Sequence, residues 1–374
     1  MKIGIDGRAA KWYRGSGIGT YTYQLINNLA HLSNEHEYLI IWPEESSNET
    51  ILAKNINFNY MSQQLDKFWE QIMIKEIIIQ NDIDIYHVPQ NGIGIPLSKK
   101  CTYIITLHDI IPFRMPETVG PGYLQIFRDY VPKIMKIVDA VITVSEFSKK
   151  DICEFFDYDE NKVFVTYLAP EEVYKHIDID KCRVLLKNKF NIDFPYILYL
   201  GGFSPRKNIK LLIQAFNFIR KKYKDLHLVI PGKLTRNYEE LFNLINSYGI
   251  QDYVHFLSYV EVDYLPYLYS GSEVFVYPSL YEGFGLPPLE AMACKCPVIT
   301  SNVTSMPEIL KDAAIYINPY SLEDLIDKLD KVLSDNTIRS SYSEKGYEYS
   351  KNFTWQKTVS ETIDIYNKIF ALKN

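Results

Sequence analysis

Two carboxylates, Glu282 and Glu290, stand with seven residues between them in the stretch Tyr277-Pro-Ser-Leu-Tyr-Glu-Gly-Phe-Gly-Leu-Pro-Pro-Leu-Glu-Ala-Met-Ala293. An apolar run, Glu273-Val-Phe-Val-Tyr277, stops at Pro278, and a helical pattern follows from Pro287 to about Cys294. Gly283 and Gly285 fall between strand and helix, where a backbone must come close to a ligand. Pro287 and Pro288 suit a first helical turn, in which a missing N–H is no loss. A helix N-terminus behind a glycine turn is a ready anion site. Acids beside a bound phosphate would repel it, so the two glutamates read as acceptors of hydroxyl hydrogen bonds. A ligand carrying both a diphosphate and hydroxyls is a nucleotide sugar. The rival reading, two acids complementing a helix dipole, fits Glu290 poorly because it lies deep in the helix.

Other segments carry chemistry of a matching kind. Gly201-Gly-Phe-Ser-Pro-Arg-Lys-Asn208 follows a buried strand and precedes a helix, which puts Arg206 and Lys207 at the ligand edge of a sheet. Cations there would hold a diphosphate and stabilise its charge as it leaves; alone, the segment reads equally well as a solvated basic turn. Thr106-Leu-His-Asp-Ile-Ile-Pro-Phe113 places His108 at the carboxyl end of a parallel strand, where such sheets bind ligands, and Asp109 beside it also suits a turn cap. Gly15-Ser-Gly-Ile-Gly19 departs from the dinucleotide fingerprint, and Glu35 and Glu37 are poor candidates for its acidic partner. Asp82-Ile-Asp84 has metal-site spacing but lies at the start of a strand, which favours strand-edge capping. Val144-Ser-Glu-Phe-Ser148 has Ser145 as a helix N-cap, and without a G-x-S-x-G elbow a serine hydrolase finds no support.

The elements that must position these groups alternate. Lys2–Asp6 reads as a strand, Gly7–Gly19 as a long basic and glycine-rich loop, and Tyr21–His31 as an amphipathic helix. Buried-type strands follow at 38–42, 83–88, 102–107 and 140–144, with helical patterns at about 66–80, 122–138 and 146–156. After Lys162–Pro170, a last strand and connector, a second series has strands at 196–200, 226–230, 254–257, 274–277, 297–300 and 314–317. Such alternation marks parallel sheets, and two doubly wound domains in tandem, with ligand between them, are expected. The tail 353–370 is one amphipathic helix with Thr354 as its cap. Outside these elements, only the polar loop 44–50 is compositionally distinct.

Length and charge bound the rest. A chain of 374 residues holds two or three domains. Its 40 basic and 46 acidic residues, net charge -6, argue against a nucleic-acid partner. No apolar run approaches the roughly 20 residues of a membrane span, and the N-terminus lacks a signal-peptide core, so a cytosolic protein is expected. Five cysteines lack metal-ligand spacing, and Cys294 and Cys296 read as buried thiols.

Glu-x7-Glu within Glu282-Gly-Phe-Gly-Leu-Pro-x-Leu-Glu290-Ala-Met-Ala293 resembles the signature of family 4 retaining glycosyltransferases (glycosyl transferase group 1), and matching segments span nearly the whole chain. The resemblance implies a GT-B fold: two Rossmann-like α/β domains facing a central cleft. Residues 1–172 would form the acceptor domain and 173–352 the donor domain, with the helix 353–374 crossing back to the first. It further implies that Arg206 and Lys207 bind the donor diphosphate and that Glu282 meets the transferred sugar, aided by the Phe284 and Gly285 amides. The Leu286 N–H would meet the distal phosphate, Glu290 the ribose hydroxyls, and His108 the transferred sugar. The first loop would lie opposite the donor diphosphate and help shape the acceptor site; Gly17 and Gly19 are placed there and grouped with the donor-binding residues. Asp109 and Arg114 are acceptor-side candidates, with the Pro- and Gly-rich stretch from Arg114 to Tyr123 as the acceptor loop. No cofactor or metal is implied, and the usual account is front-face substitution with retention.

Asp6-Gly-Arg8, Thr106-Leu-His-Asp109 and Ser204-Pro-Arg-Lys-Asn208 look most like bacterial mannosyltransferase-type members, so GDP-mannose is the first expected donor and a UDP-sugar the second. Acceptors in the family are often lipid-linked or envelope glycans. Peripheral contact with the inner membrane face, through Lys133, Lys136, Lys149 and Lys150, is a further expectation. Two other classes stay open at this point: a non-catalytic nucleotide-sugar-binding subunit, and an NAD-dependent dehydrogenase, which the poor dinucleotide fingerprint disfavours.

Overall fold

The computed structural model describes residues 1–32, 35–43, 55–60, 67–232 and 238–373; the polar stretch 44–50 lies outside them. The chain forms two compact units. Unit 1 is Met1–Leu168 with Thr354–Asn374, and unit 2 is Ala169–Phe353. The first junction falls at 168 rather than 172.

Among the described residues, unit 1 is built on seven parallel strands: β1 (Lys2–Asp6), β2 (Glu37–Trp42), β3 (Ile56–Tyr60), β4 (Ile85–Val88), β5 (Thr102–Thr106), β6 (Ala140–Thr143) and β7 (Val163–Val165). Their order is β3-β2-β1-β4-β5-β6-β7, with Ile3 opposite Tyr38 on one side and Ile85 on the other. β4, β5 and β6 are buried along their whole length, which is why they read as continuous apolar runs rather than as alternation. β3 is the strand the sequence pattern misses. Its Ile-Asn-Phe-Asn-Tyr run carries two asparagines, poor strand formers, and it sits at the sheet edge where only one side must pair.

The expected loop Gly7–Gly19 is largely helical. Arg8–Trp12 forms one short helix, and the next runs from Gly17 to Leu32 instead of starting at Tyr21. Ser16 explains the early start: its Oγ accepts from the Gly19 N–H at 3.2 Å and donates to the Tyr13 carbonyl at 2.7 Å. This cap outweighs the poor helix propensity of two glycines.

The helix Trp355–Ala371 belongs to unit 1. Thr354 Oγ1 caps it by accepting from the Lys357 N–H. Its buried face, including Val359, Thr362 and Tyr366, packs on the helix Gly17–Leu32. The Tyr366 hydroxyl bonds His87 Nδ1 at 2.6 Å, and Thr358 Oγ1 donates to the Tyr167 carbonyl.

Unit 2 repeats the plan with β8 (Tyr196–Leu198), β9 (His227–Pro231), β10 (Val254–Leu257), β11 (Val274–Tyr277), β12 (Val298–Ser301) and β13 (Ile315–Ile317), in the order β10-β9-β8-β11-β12-β13, all parallel. Its core clusters Ile213 and Phe216 of the helix Ile209–Lys222 with Leu325 and Leu329 of the helix Leu322–Ser334. Each such fully buried side chain contributes about 1.5–3 kcal/mol. In each sheet the order reverses beside its first strand, between β1 and β4 and between β8 and β11. Open α/β sheets bind ligands outside the strand carboxyl ends at these reversals. Among the described residues, no helix is long and apolar enough to cross a membrane.

Candidate active site

In unit 2 the loops leaving β8 and β11, the two strands at the reversal, carry the charged residues singled out above. Pro205–Lys207 is a turn of 3-10 helix ended by Asn208 in the left-handed conformation (φ 55°), so the chain enters the helix Ile209–Lys222 with Arg206 and Lys207 behind it. The Leu280 N–H donates to the Arg206 carbonyl at 2.7 Å, tying the two loops together. Across that tie, Lys207 Nζ lies 2.6 Å and Arg206 Nη1 2.9 Å from the same Glu282 oxygen, Oε1. Lys207 also donates to the Tyr277 hydroxyl, and Arg206 to the Tyr281 carbonyl. Glu282 is 7% exposed. Burial would raise its pKa, but Lys207 and Arg206 outweigh burial and hold the carboxyl below its usual range.

The glycine turn is set from the far side by the loop after β12. Thr304 Oγ1 accepts from the Glu282 N–H, and Ser305 Oγ donates to the Glu282 and Phe284 carbonyls at 3.0 and 3.1 Å. Gly285 caps the helix Leu286–Ala293 at φ 95°, and a Cβ there would sit 2.2 Å from Met306 Cε. Only glycine fits that conformation without strain. The Gly285 and Leu286 N–H groups have no acceptor among the described residues, as a helix N-terminus leaves them. Glu290 lies one turn inside. Its Oε2 accepts from the Tyr269 hydroxyl at 3.0 Å, and burial pushes its carboxyl up to about 7, with Tyr269 and Tyr174 hydrogen bonds opposing and Glu171 adding to the rise.

Unit 1 has its own group at its reversal. Asp6, the last residue of β1, accepts from Arg8 Nε at 2.9 Å and Nη2 at 2.6 Å, and Gln90 Nε2 donates to Asp6 Oδ2 at 2.9 Å. His108 follows β5. Its N–H donates to Asn91 Oδ1, and Nε2 lies 3.0 Å from the Pro89 carbonyl. A carbonyl only accepts, so Nε2 carries the hydrogen and Nδ1 the lone pair. Burial lowers the His108 pKa to about 4, leaving a neutral imidazole. Asp109 Oδ1 caps the following turn by accepting from the Ile111 N–H. Arg114 pairs with Asp151, Nε to Oδ1 at 2.7 Å, and the stretch that follows is mostly helical: Pro116–Thr118, then Pro121–Met135.

The two loop glycines stand differently from expectation. Gly17 and Gly19 lie in a helical first turn, Gly17 exposed and Gly19 buried. A Cβ on Gly19 would meet the Tyr13 carbonyl oxygen at 2.0 Å, so the chain's own backbone requires that glycine. Asp84 accepts from the Lys2 N–H at 2.8 Å, the strand-edge role. Cys294 and Cys296 are buried free thiols. Sequence reasoning missed Gln90, Asn91, Thr304, Ser305 and Tyr269. The first four follow strand ends, a positional signal that could have found them; Tyr269 precedes β11 and gave none.

Residues 15–169 match the family described as Glycosyltransferase Family 4, and residues 184–349 that described as Glycosyl transferases group 1. The O-antigen chain mannosyltransferase B of Escherichia coli is 32% identical over 284 residues, covering 75% of this chain and 74% of that protein. The chain belongs to glycosyltransferase family 4. A second Escherichia coli relative, the serotype-specific mannosyltransferase WbdA, is 28% identical over 76% of the chain, which spans about a third (35%) of its length. The fold is GT-B: sucrose-phosphate synthase from Thermosynechococcus elongatus superposes with a TM-score of 0.78 at 18% identity, covering all of both chains. As a family 4 glycosyltransferase, the chain has its charged loops at the β8–β11 reversal as a candidate donor site.

Proposed function

We propose that this glycosyltransferase moves a hexose from a nucleoside-diphosphate sugar to a glycan or lipid-linked glycan acceptor in cell-envelope polysaccharide synthesis, with retention of configuration and without a metal ion. GDP-mannose is the first candidate donor and a UDP-sugar the second. The relatives' names support the reading: both are mannosyltransferases, and one is named for the O-antigen chain.

The observation that carries the reading is the clasp of Arg206 and Lys207 on Glu282 beside the Gly285 helix start. Two cations and two unaccepted N–H groups suit a diphosphate, and they supply the charge stabilisation its departure needs without a metal. As the donor enters, the cations turn to phosphate oxygens, and Glu282 and the Phe284 and Gly285 amides take the sugar. Leu286 N–H meets the distal phosphate, and Glu290, held by Tyr269, takes the ribose hydroxyls. In unit 1, His108 offers Nδ1 to a saccharide hydroxyl, while Asp109 and Arg114 shape the acceptor side. In the transfer, the bond from C1 to the leaving phosphate oxygen breaks as the acceptor oxygen bonds C1 on the same face. The acceptor proton passes to the leaving phosphate.

Donor turnover by the wild-type chain and by Glu282→Gln, with GDP-mannose and UDP-glucose, tests this. We expect turnover of one donor and a fall of about 10²-fold or more in the variant; full turnover in the variant would overturn the assignment. A higher melting temperature with GDP than with UDP or NAD is the expected companion result. Peripheral membrane contact through Lys133, Lys136, Lys149 and Lys150 belongs to the same reading. Failure to sediment with anionic vesicles at low salt would remove it.

A further inference from the structure

The opposite end of the unit 2 sheet, away from Lys207 and Glu282, holds a pocket of about 450 Å3. Phe194 stands before β8, His227 opens β9, and Tyr253 stands before β10. Arg220 and Lys221 reach it from the last turn of the helix Ile209–Lys222, and Lys224 follows that helix. Its size falls within the range of small-molecule sites, about 300–1,000 Å3.

One side of the pocket is an aromatic stack that continues behind it to His255. Phe194 lies 3.7 Å from the His227 ring and 4.7 Å from the His255 ring, nearly parallel to both, and His227 Nδ1 bonds His255 Nε2 at 2.7 Å. Burial, and for His227 also its neighbour His255, lowers both imidazoles, His227 to about 4. They are therefore neutral near pH 7. The charge comes from Arg220, Lys221 and Lys224 against Asp225, the one carboxylate in the wall among the described residues. Nearby Asp193 lies against Lys187 at 3.3 Å. Three cations less one carboxylate leave two positive charges, on a chain whose net charge is -6.

Basic residues at a helix C-terminus often only complement its dipole. That accounts for Lys222, which lies against Asp330 at 2.6 Å. It does not account for Arg220. That guanidinium lies 3.1 Å over the Tyr253 ring, and its buried Nε has no acceptor among the described residues. Arg220 lines the pocket together with Lys221 and Lys224. The arginine fork matches a phosphate group, and two net positive charges match a phosphate monoester, which carries about -1.5 to -2.

We propose that this pocket is a second ligand site, taking a small phosphate ester through Arg220, Lys221 and Lys224, with Phe194 and Tyr253 as its apolar walls. A sugar phosphate and a nucleoside monophosphate share that chemistry. The inference stands apart from the donor reading, because the pocket shares no residue with the Glu282 cluster.

The test titrates the full chain with inorganic pyrophosphate, a hexose 1-phosphate and a nucleoside monophosphate by calorimetry. The chains are wild type, Arg220→Ala, Lys224→Glu and Lys207→Ala. At least one ester is expected to bind saturably, tenfold or more weakly in Arg220→Ala and Lys224→Glu, and undiminished in Lys207→Ala. Which ester binds distinguishes sugar phosphate from nucleotide. Should Arg220→Ala fail to fold, the exposed Lys224→Glu decides. No saturable binding at millimolar ester, binding unchanged by both pocket variants, or loss only in Lys207→Ala would each overturn the proposal.

Discussion

Both sheets reverse their strand order beside the first strand, and both put an acid and an arginine at that point, yet the two pairs are built differently. In unit 1, Asp6 and Arg8 are two residues apart on one strand–helix junction and satisfy each other with two parallel bonds, both side chains nearly inaccessible. In unit 2, Glu282 meets Arg206 and Lys207 from a loop 75 residues away in sequence, through a single oxygen, and the three side chains together carry one positive charge. A locally closed pair of matched charge serves the fold. A surplus cation assembled across two loops can exchange its carboxylate for an anionic ligand. On the proposed donor reading, the same topology therefore holds a structural clasp in one unit and a ligand-ready cluster in the other.

The sharpest way to break this contrast is to open the closed pair. Asp6→Ala leaves the Arg8 guanidinium buried and uncompensated, which is expected to cost about 3–5 kcal/mol of stability. Urea unfolding would read it, and a loss below about 1 kcal/mol would show that the pair is not structural.

Lys207→Ala should behave in the opposite way. Glu282 keeps Arg206, so the unfolding midpoint should move much less than in Asp6→Ala. Transfer should fall by roughly 10²–10³-fold, the loss typical of one preorganised charge-stabilising donor. A variant that is destabilised but fully active would erase the distinction between the two clusters. Gly285→Ala comes next. The left-handed backbone strain costs about 1–3 kcal/mol, and the clash with Met306 adds little because a thioether end can move. Weaker donor binding should accompany the lower melting temperature, since in the proposed donor site the strained residue opens the helix that meets the phosphate.

The contrast also explains what could be read in advance. The strand–helix alternation and the glycine turn of residues 282–286 were legible because parallel strands and helix starts leave local patterns: apolar runs, then glycine, then proline. The Arg206, Lys207 and Glu282 positions were legible as strand-end loops, but their convergence on one oxygen was not, because it depends on β8 and β11 being neighbours. Gly19 is ambiguous for a related reason. A glycine needed for the approach of the Tyr13 carbonyl and one needed for a ligand look alike in sequence. β3 was hidden because its asparagines lower local strand propensity, and only pairing with β2 makes it a strand. Gln90, Thr304 and Tyr269 act through partners far along the chain, which no local pattern carries.

The smallest effect separates the units by pH. In unit 1, burial lowers His108 to about 4 and, with the neighbouring His108 imidazole adding to it, His87 to about 3. Unfolded, each would take a proton near 6.5. Below that value the unfolded chain binds more protons than the folded one, so the contribution present above pH 6.5 is lost as pH falls toward 4. Glu290 in unit 2 works in reverse. Burial raises it to about 7 from an ordinary 4.5, so between those values the folded chain holds the extra proton and stability is lost as pH rises. Glu282, held low by its cations, acts only below that window. Glu290→Gln should therefore remove a decline of roughly 1–2 kcal/mol between pH 5 and 7, leaving a profile that rises with pH through the imidazoles. His108→Gln should flatten the acid limb instead. Denaturant unfolding across that range reads both slopes, and a Glu290→Gln profile parallel to wild type would mean that the carboxyl is ionised in the fold throughout.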